Sequence, residues 1–286
     1  MNRGESKEDM AFDRERVEQV ALLMRQDIVR MVTEAGSGHP GGSLSAVDIL
    51  ATLYFGEVMQ HRAEEPDWDG RDRFILSKGH AAPVLYAALA HVGYFEREEL
   101  LTLRRFGTRL QGHPDSRLLP GVEVSTGSLG QGLSVAAGLA AGLGVGSTAE
   151  PIPYVYVLLG DGELQEGQVW EAAMFAAHSQ LENLVAIVDN NGLQIDGAVS
   201  DINCLGSIED KFKAFGWRVL TCADGHDTEE LKRCFDEASC SAGAPTLIIA
   251  DTVKGKGVRF MEGQCGWHGK APSVEQCAVA LEELGV

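Results

Sequence analysis

Two short apolar runs in this sequence, Tyr154–Leu159 and Leu184–Val188, each end on a polar cluster. Gly160-Asp161-Gly162-Glu163 follows the first, and Asp189-Asn190-Asn191 follows the second, about thirty residues later. Apolar runs of this length without polar alternation read as strands buried on both faces of a parallel sheet. The interval holds a crossover helix, Val169–Ser179, of the kind that a βαβ connection requires. Both clusters then fall at the carboxyl ends of strands, where open α/β sheets bind ligands. A carboxylate and an amide oxygen are hard donors that suit Mg²⁺ or Ca²⁺, and Mg²⁺ in particular when a diphosphate adds further oxygens. Glycines beside Asp161 let backbone N–H groups approach a phosphate closely. By itself, though, a Gly-Asp-Gly is also an ordinary strand-to-helix turn.

The rest of the sequence bounds what this pair of clusters can belong to. With 286 residues, 44% of them hydrophobic, the chain can bury one large α/β core. The formal charge of −18 repels a phosphate backbone and excludes nucleic acid as a general partner. No apolar run is long enough to span a membrane, and Met1–Asp9 is charged rather than signal-like, so the expected location is the cytoplasm. The cysteines form no C-x-x-C pair, which points to reduced thiols rather than a zinc site. We expect a flexible charged tail over residues 1–12 and a single domain over 13–286, with a mostly parallel sheet and helices on both faces.

Taken in order, Val17, Val20, Ala21, Met24, Ile28, Met31 and Val32 recur at helical spacing and predict a helix over Asp13–Glu34. Ser37–Ser43 is rich enough in Gly and Pro to predict irregular structure, with Ser43 or Ser45 capping a helix over Ala46–Phe55. A strand over Arg73–Ser77, a helix over Ala81–Val92 and a polar helix over Glu96–Leu103 follow. Gln111–Asp115 reads as a turn. After Ser125–Gly132 comes a helix, Leu133–Leu143, unusually rich in Ala and Gly. So little side-chain bulk calls for close packing against another helix or a subunit. The last third alternates helix Ile208–Phe215, strand Trp217–Cys222, helix Thr228–Ser241 capped by Asp227 or Thr228, and strand Thr246–Val253. An irregular arm with Trp267-His268-Gly269 and a helix over Ser273–Leu284 close the chain. The Lys-Gly-Lys-Gly run at its start lacks Walker spacing and does not read as a phosphate loop. Four histidines, His39, His80, His113 and His268, sit in turns, where each alone reads equally as a solvated or capping residue. Lys78 alone reads as a solvated lysine.

Together these segments carry a family resemblance. Gly160-Asp161-Gly162 followed by Asn190-Asn191 resembles the diphosphate-and-metal motif of thiamine-diphosphate enzymes. Ser37-Gly38-His39-Pro40-Gly41-Gly42, Asp72-Arg73-Phe74, Ser77-Lys78-Gly79-His80, Leu164-Gln165-Glu166-Gly167, Trp170-Glu171-Ala172 and Trp267-His268-Gly269 are similar to transketolases, over about Glu18 to Pro272. The resemblance implies a thiamine-diphosphate-binding fold and a Mg²⁺, replaceable by Ca²⁺ or Mn²⁺, on Asp161, Asn191 and the Leu193 carbonyl. Gly162 would lie near the phosphates, and Gly127, Ser128 and Leu129 near the aminopyrimidine and thiazolium rings. His80 and His268 would touch the cofactor, His39 and His268 the substrate oxygens, and His113 the substrate hydroxyls. Histidine suits such work because its ordinary pKa lies near neutrality. Glu166 would join a carboxylate link across a subunit interface. Gly192 departs from the family's commoner lysine-like residue without touching an essential role.

In transketolases the carboxylate that activates the aminopyrimidine lies on a second, pyrimidine-binding domain, which the match does not reach. The implied reading is therefore the N-terminal subunit of a split transketolase, assembled as α₂β₂ with a separate C-terminal subunit. Its reaction would move a two-carbon ketol unit from a ketose or ketose phosphate to an aldehyde. Alternatives of the same cofactor class are a 2-oxo-acid dehydrogenase α subunit, a deoxyxylulose-phosphate synthase and a two-carbon transferase acting on a carrier protein. From another class comes a non-catalytic cofactor-binding subunit.

Overall fold

The strand runs form one five-stranded sheet in the spatial order Arg73–Leu76, Val155–Gly160, Leu184–Asn190, Thr246–Asp251 and Arg218–Cys222, every neighbouring pair parallel. The structure is a computed structural model that describes residues 12–146, 151–240 and 243–286. In chain order the elements are α1 (Arg14–Ala35), α2 (Pro40–Ser45), α3 (Val47–Phe55), β1 (Arg73–Leu76), α4 (Ala82–Val92), α5 (Gln131–Gly146), β2 (Val155–Gly160) and α6 (Gly167–His178). There follow β3 (Leu184–Asn190), α7 (Val199–Asn203), α8 (Ile208–Phe215), β4 (Arg218–Cys222), α9 (Thr228–Ala238), β5 (Thr246–Asp251) and α10 (Val274–Glu283).

Because strand side chains alternate, the central strands serve two cores at once. Tyr156, Leu158, Val185, Ile187, Ile248 and Ala250 face one core, built with α1, α3, α4, α9 and α10. Val155, Val157, Leu159, Ala186, Val188 and Leu247 face the other, built with α5, α6 and α8. This double burial is why the strands read as unbroken apolar runs, and it confirms the expected parallel sheet with helices on both faces. No helix among the described residues is long and apolar enough to cross a membrane.

Several boundaries depart from expectation for physical reasons. Residues 37–43 are not all irregular: Pro40–Ser45 is a helix whose six residues are all buried. Pro40 suits the first turn of a helix, where its missing N–H costs nothing. The glycines permit close approach, since a Cβ on Gly41 would lie 2.9 Å from the Trp267 carbonyl oxygen. Neither Ser43 nor Ser45 caps α3, whose N-cap is Ala46. Ser43 instead donates to the His39 carbonyl at 2.7 Å, and Ser45 to the Asp189 carboxylate at 2.6 Å. The expected polar helix is a 3₁₀ turn, Arg97–Thr102, and the short helix α7 was not anticipated. The cap of α9 follows expectation, with the Asp227 side chain accepting from Glu229 N–H, and Ser273 closes a capping box at the start of α10. The proposed tail lies outside the described residues over 1–11, as does Ser241 of the expected helix 228–241, while Phe12 packs partly against the core.

Candidate active site

The carboxyl ends of β1, β2, β3 and β5 deliver the polar groups of a single cleft. From β1 comes Lys78, only 2% exposed, which donates to the Gly42 carbonyl oxygen at 2.8 Å and pairs with the fully buried Asp189 at the end of β3. Asp189 also accepts from Ser45 and from Thr252, which follows β5. Burial alone would raise the Asp189 carboxyl, but Lys78 above all holds it below the ordinary carboxylate range.

Asp161, at the end of β2, is nearly as buried, at 3% exposed, but among the described residues it is partnered only by backbone. Its carboxylate accepts from the Gly162 N–H at 2.8 Å and from the Gly192 N–H at 2.6 Å. Burial, then the neighbouring charge of Asp189, pushes it up to about 6. The Asn191 side-chain oxygen accepts from the Leu193 N–H at 3.1 Å, so Asp161, Asn191 and Leu193 share one backbone turn. Lys254 reaches the same turn, its ammonium 3.3 Å from the Leu193 carbonyl oxygen and 3.1 Å from His268 Nδ1. Burial, then the charge of Lys78, lowers Lys254 to about 8.

Three of the expected histidines crowd together, and the fourth adjoins them. Ring centroids lie 4.9 Å apart for His80 and His268, 5.4 Å for His39 and His268, 5.3 Å for His39 and His80, and 6.4 Å for His39 and His113. Burial is the main cause of depression in each: to about 4 for His39 and His268, to about 2 for His80, and below the ordinary value for His113. Nearby cations add to it: Arg104 beside His39 and His113, Lys78 beside His80, and Lys254 beside His268. All four rings are therefore neutral at pH 7 and able both to accept and to donate a hydrogen bond.

Gly127 borders this group, for a Cβ there would lie 3.1 Å from the His113 ring. Ser128 is exposed and Leu129 half-buried in the turn that leads into α5. Glu166 stands apart, exposed at the N-cap of α6, with its Cβ in the space that a side chain on Gly130 would need. The buried carboxylate of Glu163 braces the loops instead, accepting from Ser77 and from the N–H groups of Gly130 and Gly160.

The donor set suits a hard cation that also has an external oxygen ligand. Among the described residues no three His, Cys, Asp or Glu side chains are placed to hold a metal. Asp161, Asn191 and the Leu193 carbonyl would offer one carboxylate and two neutral oxygens, a partial ligand set that a diphosphate and water could complete. Lys254, buried and among the described residues touching only neutral acceptors, provides a positive charge beside that turn. The side-chain nitrogen of Gln194, buried and unpartnered next to Gly162, adds a free donor.

Comparison with known proteins decides the family. The profile described as "Transketolase, thiamine diphosphate binding domain" matches residues 15–286. The chain belongs to the transketolase family. It is 44% identical to the 6-deoxy-6-sulfo-D-fructose transketolase subunit SqwG of Clostridium sp., over 93% of this chain and 97% of that subunit. It is 42% identical to an apulose-4-phosphate transketolase subunit of Phocaeicola vulgatus, over 91% of this chain and 90% of that one. Transketolase from Leishmania mexicana superposes with a TM-score of 0.88 at 35% identity, covering 94% of this chain but 41% of the longer one.

Several residues of this cleft are not evident from the sequence. Lys78 reads as solvated there and is buried; Lys254 sits in a Lys-Gly-Lys-Gly run whose spacing is not that of a phosphate loop, and is buried too. Lys78 comes shortly after β1 and Lys254 shortly after β5, the one signal that marks a lysine at a sheet's carboxyl edge. Asp189 adjoins the metal motif in sequence, but it is neutralised within the chain. Arg104 carries no signal at all.

Proposed function

We propose that this chain is the cofactor-binding subunit of a two-subunit transketolase, acting with a separate subunit that carries the pyrimidine-binding domain, in an α₂β₂ assembly in the cytoplasm. The observation that carries the reading is Lys254, which touches both the Leu193 carbonyl and His268 and so ties the oxygen donor set to the histidine group. The two-subunit arrangement is supported by coverage: 97% and 90% of two relatives named as subunits, against 41% of human transketolase.

Asp161, Asn191 and the Leu193 carbonyl would hold Mg²⁺, and Lys254 the charged end of thiamine diphosphate. When bound, the cofactor supplies a carbon nucleophile and an electron sink for breaking and making a carbon–carbon bond beside a carbonyl. The chain's own work is to orient and to move protons. Neutral His39 and His268 hydrogen-bond the substrate oxygens, His80 packs at the cofactor, His113 meets substrate hydroxyls, and Gly127 and its turn border the rings. Glu166, exposed at the start of α6, is placed to meet the partner subunit. The two relatives are named for ketoses bearing a sulfonate or a phosphate, and we take an anionic ketose donor as the substrate class here.

The test is reconstitution. The chain, its partner, thiamine diphosphate and Mg²⁺ together should transfer a two-carbon unit from a ketose phosphate to an aldehyde, while the chain alone should not. Transfer by the chain alone would sink the two-subunit reading. An Asp161→Ala assembly with full activity would instead support a non-catalytic role for this chain as a cofactor-binding subunit.

A further inference from the structure

Arg104 occupies a left-handed backbone conformation, φ 59°, that a non-glycine residue adopts only at a cost of roughly 1 kcal/mol or more. The surrounding loop enforces it. Leu103 and Leu110 are buried on either side, the Arg104 N–H donates to the Leu110 carbonyl at 2.9 Å, and Arg109 closes the loop on Glu99 at 2.7 Å. Next door, Arg105 pairs with Glu34 of α1. This anchored strain aims the Arg104 guanidinium into the histidine group. It donates to Ser37 Oγ at 2.7 Å, to His39 Nδ1 at 3.4 Å and to the Gly112 carbonyl at 3.5 Å. Among the described residues no carboxylate pairs with it. Residue 112 is glycine where a Cβ would lie 3.0 Å from the guanidinium carbon.

A guanidinium can only donate, so the His39 Nδ1 facing it must accept. In a neutral imidazole the proton then resides on Nε2. We propose that Arg104 is a positioning residue that fixes His39 as its neutral Nε2–H tautomer, so that His39 presents a hydrogen-bond donor to the space it shares with His80 and His268. The Nε2 edge faces Gly269, where a Cβ would lie 3.5 Å from it. Protonating His39 would set an Nδ1–H against the guanidinium, donor to donor. The other groups facing the ring, His80, His113, His268 and Lys254, supply no carboxylate to relieve that clash.

On the ketol-transfer reading, His39 then holds a substrate oxygen as a donor, and acceptance of a proton falls to a different group. That consequence rests on the proposed function; the tautomer does not. Nitrogen-15 spectra of the full chain, labelled at histidine, with His39 assigned through His39→Gln, report the tautomer without substrate or partner. In the unmodified chain at pH 7 His39 should appear as Nε2–H alone; an Nδ1–H form or a mixture overturns the proposal. Arg104→Met should release a mixture, and Arg104→Lys, which keeps a donor, should restore Nε2–H. An unchanged tautomer in Arg104→Met removes Arg104 from the argument. In the reconstituted assembly Arg104→Met should lower kcat on the order of a hundred-fold with KM little changed. A rise in KM alone counts against positioning. If Arg104→Met does not fold, the unmodified chain and Arg104→Lys still decide. Absence of ketol transfer in every assembly would sink the functional reading and leave the tautomer result standing.

Discussion

The ends of β2 and β3 lie side by side in the sheet, Gly160 in register with Asp189, yet they treat their aspartates in opposite ways. Asp189 is satisfied inside the chain by Lys78, Ser45 and Thr252. Asp161 has comparable burial and, among the described residues, no side-chain partner, only two backbone N–H groups, and its carboxyl rises to about 6. A buried carboxylate left without a cation is unfavourable unless something outside the chain supplies one. The contrast separates a carboxylate that holds loops together from one that waits for a ligand.

The largest effect that this contrast forecasts is on activity. Asp161→Ala in the reconstituted assembly should lose ketol transfer by on the order of a thousand-fold, since several kcal/mol of charge stabilisation leave with the metal. Chelation should have the same effect on the unmodified assembly, with Mg²⁺ restoring it but not the variant; steady-state rates would show either outcome. Next comes folding stability. Asp189→Ala strands the Lys78 ammonium in the interior and should cost about 3–5 kcal/mol in urea denaturation, whereas Asp161→Asn should be neutral or stabilising. Equal losses in the two variants would erase the distinction.

The pH dependence sharpens it further. The folded carboxyl of Asp161 titrates near 6, above its unfolded value near 4, so between these the folded chain binds more protons and loses stability as pH rises. Relative to Asp161→Asn, the unliganded chain should therefore lose about 3 kcal/mol from pH 4 to 7, with the change centred between 4 and 6. Asp189, held low, has the opposite sign: its contribution is present above its unfolded value and is lost as pH falls below about 4. A flat difference curve for Asp161 would show that water or an ion already satisfies it. The smallest expected change is Ser45→Ala, which removes one hydrogen bond to the Asp189 carboxylate and should cost about 1.5 kcal/mol.

Much of this architecture is legible in the sequence because its strands are buried on both faces, so burial itself wrote the pattern. Tyr154–Leu159 and Leu184–Val188 could hardly be anything else, and each fixed its polar cluster at a sheet edge. Residues 37–45 mislead, because their helix is held by tertiary contacts such as Gly41 against Trp267, which local propensity does not register. The exposed glycines of α5 are equally opaque: Gly138, Gly142 and Gly144 face open space in this chain, while Leu133, Ala136, Ala137 and Ala140 carry the packing.

The sequence by itself determined the parallel sheet, the placing of Asp161 and Asn191 at its carboxyl edge, and, through its histidine-bearing segments, the family. Those properties depend on local runs and spacings. Only the tertiary structure decided which groups are charged, paired or neutral. Lys78 meets Asp189 across 111 residues, Arg104 meets His39 across 65, and Lys254 meets Leu193 across 61. Protonation and tautomer are set by burial and by the partner within about 4 Å, and neither exists until distant segments are packed together.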